Sequence, residues 1–277
     1  MERILKYFSM ISLITPILIL AFLLVEVFIS GFRFISLDFI LGMPSYRPED
    51  MGILPAIIGS IYIVGMSSII SFLMGLGLSI YLVEFVESSR VKEFVYFIVD
   101  ILAGVPSVIY GLVGLGFIGY LLGAGRSVLT GVITMSFLIL PLTVVATLEA
   151  FRAIPDSLKM AAYSLGASRL EVVEKILIPL GISRALTGSI LAVARALGEA
   201  APILIISGLL FTKSIPISLF DNFTVLPLLI FNLVTRPQEI YRDIASASII
   251  VLVSIFILVS LLSLYFRMRY SHRIYEV

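Results

Sequence analysis

The sequence predicts an all-α integral membrane protein with six transmembrane helices. Three observations carry this. The 277 residues are 60% hydrophobic and only 13% charged, where a soluble domain is about 25% charged. The apolar residues gather in long runs at 7–30, 54–83, 94–122, 127–149, 184–211 and 244–266, each near the ~20 residues a helix needs to cross a bilayer core. The runs are continuous rather than alternating, so each satisfies its own backbone as a helix.

Taken in order, run 7–30 is too long for a signal-peptide core, contains Glu26 and lacks a small-x-small cleavage site, so it reads as a retained span. Residues 31–52 are mixed polar and aromatic, which fits an ordered outer connection or a docking surface for an external partner. The run 54–83 is a plain span. In 94–122, Asp100 sits about two turns in, where a helix start tolerates acid. The break Gly104-Val105-Pro106-Ser107 can open the helix where it lines a cavity, or simply kink it. The run 127–149 leads into a polar stretch. Residues 212–243 again read as an outer connection or docking surface, and 244–266 is the last span.

Of the nineteen basic residues, twelve fall on the side that holds the N-terminus. Six (Arg33, Arg47, Arg126, Lys213, Arg236 and Arg242) fall on the other side, and Arg195 lies inside a span. The excess places both termini in the cytoplasm. Net charge is +1, which excludes a bulk electrostatic role such as wrapping nucleic acid. Without cysteine there are no disulfides and no thiolate chemistry. His272 stands alone, so no metal centre is expected. No phosphate-cradling GxxxxGK[ST] loop occurs.

The polar interruption Glu149–Gly181 is 33 residues long and strongly patterned. Pro155 and Asp156 suit a helix start. Leu158, Ala161, Ala162 and Leu165 follow at helical spacing and predict one apolar face. Gly166 is placed for a left-handed cap. Ser168 and Glu171 then form a capping box, and Pro179 and Gly181 predict the end of a second helix before the next span. The expectation is a two-helix cytoplasmic hairpin, 156–165 and 169–178, that seals the bundle or docks another protein.

Arg195 and Glu199 put opposite charges one helical turn apart inside the fifth run. Burying such charges costs about 3 kcal/mol each on insertion scales. They read either as a self-neutralising structural pair or as a polar station for an anion, for which a guanidinium offers forked, non-titrating donors. Pro202 predicts a kink just beyond.

The run Ala161-Ala162-Tyr163-Ser164-Leu165-Gly166-Ala167-Ser168, followed by Ile176-Leu177-Ile178-Pro179, resembles the "EAA" loop of ABC importer permeases. Met160 stands where that loop usually has glutamate, and Ile178 where it has leucine. The blocks Gly52–Gly59, Tyr81–Glu84, Leu102–Leu112 and Arg195–Pro202 are similar to the phosphate-transport branch, the PstA type. The resemblance covers about residues 31 to 270.

It implies one transmembrane permease domain over 1–277, of the ABC importer permease type, with its cytoplasmic coupling-helix loop at 150–183. Ala161, Ala162, Leu165, Gly166, Ala167 and Ser168 would meet the ATPase. Arg195 and Glu199 would line the substrate path, and Gly104, Pro106, Ser107 and Pro202 would form breaks or gates. It implies a second permease subunit, two cytoplasmic ATPase subunits that use ATP and Mg, and an extracellular or periplasmic phosphate-binding protein. The chain itself would bind no cofactor and would be a transport subunit of the cell membrane rather than an enzyme. Sulfate, molybdate or tungstate permeases, a lone secondary anion transporter or channel, and a membrane-embedded enzyme are the alternatives.

Overall fold

The computed structural model describes residues 2–207, 212 and 214–271. All regular structure among them is helical: α1 (Glu2–Gly31), α2 (Leu37–Leu41), α3 (Leu54–Ile80), α4 (Ser89–Gly104), α5 (Ser107–Val113), α6 (Val128–Arg152), α7 (Asp156–Ser164), α8 (Arg169–Val172), α9 (Ile178–Gly198), α10 (Ala201–Ser207), α11 (Leu226–Val234) and α12 (Glu239–Ser271). Wide π-type turns extend α3 through Tyr81–Phe85, extend α5 through Gly114–Leu121, and join α8 to α9 through Val173–Leu177.

Five of these rods are long and apolar enough to cross a membrane, and a sixth crossing arises if α4 and α5 count as one span. Those two meet at 97° rather than running straight through 94–122. Val105, before Pro106, is held extended (φ −68°, ψ 128°). That is the conformation a following proline imposes, so the helix stops there.

α6 is the central rod, with α3 on one flank and α9 on the other. Ser67, Ser71, Gly75 and Ser79 recur every four residues on α3 and are buried. The Ser71 hydroxyl donates to Thr143 Oγ1 at 3.0 Å, and Thr147 Oγ1 donates to the Gly75 carbonyl at 3.1 Å. Small residues let the backbones approach, and hydroxyls bond across the gap where lipid offers no competing partner.

The stretch 212–243 does more than connect spans. It folds inward as α11, with Leu226, Leu229 and Leu233 buried beside α12, Phe39 and Met51, and Leu228 buried in the cluster that holds Ile63 and Phe223. The Leu226 amide donates to Ser60 Oγ at 2.8 Å, and Ser207 Oγ donates to the Phe223 carbonyl at 2.8 Å. Buried backbone outside a long helix needs such partners. α1 contributes little to the core: its apolar side chains from Tyr7 to Val25 stand exposed on this chain, and it meets α12 at Gly31.

Candidate functional site

Arg195 lies in the last turn of α9. The sequence suggests that α9 runs on to a kink at Pro202, but the helix ends at Gly198, and Glu199 takes extended backbone angles (φ −80°, ψ 109°). The reason is steric. A proline ring clashes with the carbonyl four residues back, and for Pro202 that residue is Gly198. Pro202 instead sits in the first turn of α10, where its missing N–H costs nothing. Arg195 Nε still donates to Glu199 Oε1 at 3.2 Å, with the two side chains 41% and 18% exposed. The pair therefore bridges a helix break rather than lying along one helical face.

The break between α4 and α5 packs against this one. A Cβ on Gly111 would come within 2.8 Å of Pro202 Cα, so α5 and α10 touch backbone to backbone. The Tyr110 hydroxyl donates to the Leu102 carbonyl at 2.8 Å, satisfying an acceptor at the end of α4. Tyr110 also packs against the cluster that holds Ala196 and Leu197, at the end of α9. Gly104 and Pro106 are exposed and Ser107 is half-buried. Tyr110 and Gly111, which the sequence singles out only as part of a longer block, are the residues that join the two breaks.

The hairpin forms α7 and α8. Gly166 takes φ +87°, and the amides of Gly166 and Ala167 reach back to the carbonyls of Tyr163 (2.9 Å) and Ala162 (3.1 Å), closing α7 with a left-handed cap. The capping box is complete: the Glu171 amide donates to Ser168 Oγ at 3.3 Å, and the Ser168 amide donates to Glu171 Oε2 at 2.9 Å. Lys159, hydrogen-bonded to Asp156 and adding its charge, holds that carboxyl below the usual carboxylate range.

One expectation for the hairpin is sharpened and one needs correction. Of the predicted apolar face, Leu158, Ala161 and Leu165 stand exposed together and Ala162 is half-buried. Ala162, Tyr163 and Ala167 turn inward onto Phe151, Ile154, Val172 and Leu177, whereas Leu158, Met160, Ala161, Leu165 and Leu170 face outward, Leu165 being 89% exposed. The Tyr163 hydroxyl donates to Glu84 at the end of α3, and this sets the helix rotation. Pro179 and Gly181 do not end the second helix. A single rod runs from Arg169 to Gly198. The wide turn before Pro179 already removes the regular ladder bond that proline cannot make. Gly181 is there for packing, since a Cβ would lie 2.4 Å from Phe151 Cδ1.

A further polar link ties the hairpin to the bundle, and sequence spacing offers no signal for it: Arg169 pairs with Glu87. Just before the hairpin, Arg152 at the end of α6 donates to the Tyr96 hydroxyl of α4, its guanidinium 4.8 Å from that ring's centroid. Gly166, Ser168, Ala161 and Leu165 remain exposed beside them. Among the described residues no group of three or more His, Cys, Asp or Glu side chains could hold a metal ion, and His272 lies outside those residues.

Residues 74–274 match the family described as binding-protein-dependent transport system inner membrane component. The probable ABC transporter permease protein YqgI of Bacillus subtilis is 30% identical over 79% of this chain and 79% of its own length. The phosphate transport system permease protein PstA of Haemophilus influenzae is 30% identical over 96% of this chain and 92% of its length. PstA 1 of Mycobacterium tuberculosis is 32% identical over 69% of this chain, which spans 63% of that relative. Among solved structures, a bacterial alginate ABC transporter in complex with alginate pentasaccharide-bound periplasmic protein superposes with TM-score 0.68, covering 95% of this chain and 94% of the other at 16% identity.

Proposed function

We infer function from one premise: the chain belongs to the family of binding-protein-dependent transport system inner membrane components, and it is the permease subunit of an ABC importer. We propose that its cargo is inorganic phosphate and that it forms half of the translocation path. The observation that carries this reading is the Arg195–Glu199 pair at the paired helix breaks. A fixed cation within a membrane bundle suits an oxyanion, and Glu199, by partly neutralising it, keeps the anion from being trapped. The names of the PstA relatives support phosphate among oxyanions.

In this reading both termini and the hairpin face the cytoplasm. The exposed apolar face of Leu158, Ala161, Leu165 and Leu170 receives one of two ATPase subunits, which supply ATP hydrolysis. A second permease subunit completes the path, and an external binding protein delivers the anion. The test is Arg195→Gln in the assembled transporter, with phosphate uptake and ATP hydrolysis measured separately. Uptake should fall at least tenfold while hydrolysis persists, the loss expected for one charge-assisted contact of about 1.5–3 kcal/mol. Normal uptake by this variant overturns the reading of the site. Stronger competition by sulfate or molybdate than by unlabelled phosphate overturns the cargo alone.

A further inference from the structure

α9 carries a second arginine that the translocation reading does not use. Arg184, Leu191 and Arg195 are exposed and Gly188 is half-buried, at successive spacings of four, three and four residues. Eleven residues make just over three helical turns, so the two arginines share one face, about 16 Å apart along the helix axis. At the end of α9 nearer the hairpin, that face opens into a cleft of about 310 Å³ against α6, lined by Leu142, Ala146, Glu149, Arg184, Gly188 and Leu191. Gly188 brings the two helices together there, since its Cβ would stand 3.0 Å from Ala146 Cβ. Arg195 is clamped by Glu199. Arg184 makes no ion pair and no side-chain hydrogen bond among the described residues, and Glu149 stands across the same cleft without pairing to it.

We propose that Arg184 is a second oxyanion station, at the hairpin end of the path that begins at Arg195. The proposal rests on the reading of Arg195 as an anion contact. An unclamped guanidinium presents its full fork to an anion, whereas a clamped one presents only part of it. An anion released at Arg195 is therefore drawn along the shared face toward Arg184. Glu149 opposes long residence in the cleft, and the wall of Leu142 and Leu191 strengthens the field by excluding water.

The experiment uses the complete importer reconstituted with its partner subunits and inorganic phosphate as the probe. Arg184→Gln should lower phosphate uptake about fivefold, the loss expected for one screened unit charge at contact distance. ATP hydrolysis and the external concentration giving half-maximal uptake should stay as in the unsubstituted protein. Arg184→Lys should recover most of the rate. This chain has no cysteine of its own, so Leu191→Cys places its single thiol in the cleft beside an intact Arg184, and phosphate during turnover should slow its reaction with an anionic thiol reagent. Unchanged uptake by Arg184→Gln, or labelling indifferent to phosphate, overturns the proposal. Arg195→Gln, run in parallel, separates the two readings. If it transports normally, the anion-path reading fails as well. If it is inactive while Arg184→Gln is normal, only the second station fails.

Discussion

Gly111→Ala adds one methyl group at the contact between the two broken helices. The new Cβ would stand 2.8 Å from Pro202 Cα and 2.9 Å from Pro202 O. Carbon atoms rest at about 3.5 Å or more, so α5 and α10 must separate by about 0.7 Å. Both obstructing atoms are backbone, and no side-chain rotation relieves them. Overpacking of this kind costs about 1–3 kcal/mol, against up to about 1 kcal/mol gained from replacing a helical glycine. Gly77→Ala is the matched control, because a Cβ there meets nothing within 4 Å. The two variants should differ by about 2 kcal/mol in unfolding of the purified permease, Gly111→Ala being the less stable. Pro202 lies three residues after Glu199, so the displacement also reaches the Arg195–Glu199 hydrogen bond, already long at 3.2 Å. Phosphate uptake should therefore fall in Gly111→Ala and not in Gly77→Ala. If the two variants match in both stability and uptake, the breaks are not packed as described and the reasoning fails.

Ser168→Ala removes half of the capping box and should destabilise the start of α8 by about 1 kcal/mol, seen as faster hydrogen exchange of the Glu171 and Val172 amides, which bond to the Ser168 hydroxyl and carbonyl; unchanged exchange would refute a role for the cap. The Asp221 carboxylate accepts the amides of Ser218 and Ile217 at 2.8 Å each, and these bonds hold its acidity below the usual carboxylate range. A depressed folded pKa means that the stabilisation is complete above the unfolded value of about 3.9 and is lost as pH falls through the folded one. Protection of those two amides, corrected for intrinsic exchange, should therefore drop on acidification below about pH 4. It should become independent of pH in Asp221→Asn; acid-insensitive protection in the unsubstituted protein would count against the contact.

The parts of the fold that are legible in sequence are those governed by local chemistry. The apolar runs, the Ser168–Glu171 box and the left-handed Gly166 need only neighbouring residues to be read, and each is present. The parts that mislead depend on what lies across the bundle. Leu226-Pro227-Leu228-Leu229 reads as a connection because it is too short to span, yet Ser60 and the space beside α12 make it core. The rotation of α7 is fixed by the Tyr163 contact with Glu84, 79 residues away in the chain, so periodicity within α7 alone groups Leu158 with Leu165 but does not say which way that face turns. Arg195 and Glu199 stand out because charge is costly in lipid, but Gly111, which brings the second break to theirs, carries no charge to draw attention.

Pro179 and Gly181 are the most instructive misreading, because a helix that stopped there would act as a hinge. Every signal for a stop is present, yet the π-type turn at Val173–Leu177 absorbs the proline and Phe151 fills the space over the glycine. Thirty residues from Arg169 to Gly198 are thus one rod, about 45 Å long. Its first turn carries Ser168 and Glu171 beside the exposed Leu165. Its exposed face carries Arg184 in the middle and Arg195 at the far end. A flexible joint would dissipate a displacement of the hairpin before it reached the charged face. A continuous helix instead moves both arginines with it, and Arg169 and Tyr163, linked to Glu87 and Glu84, carry the same displacement into the end of α3. The wide turn that accommodates Pro179, and the Phe151 ring over Gly181, therefore let the hairpin and the face carrying the two arginines move as one body.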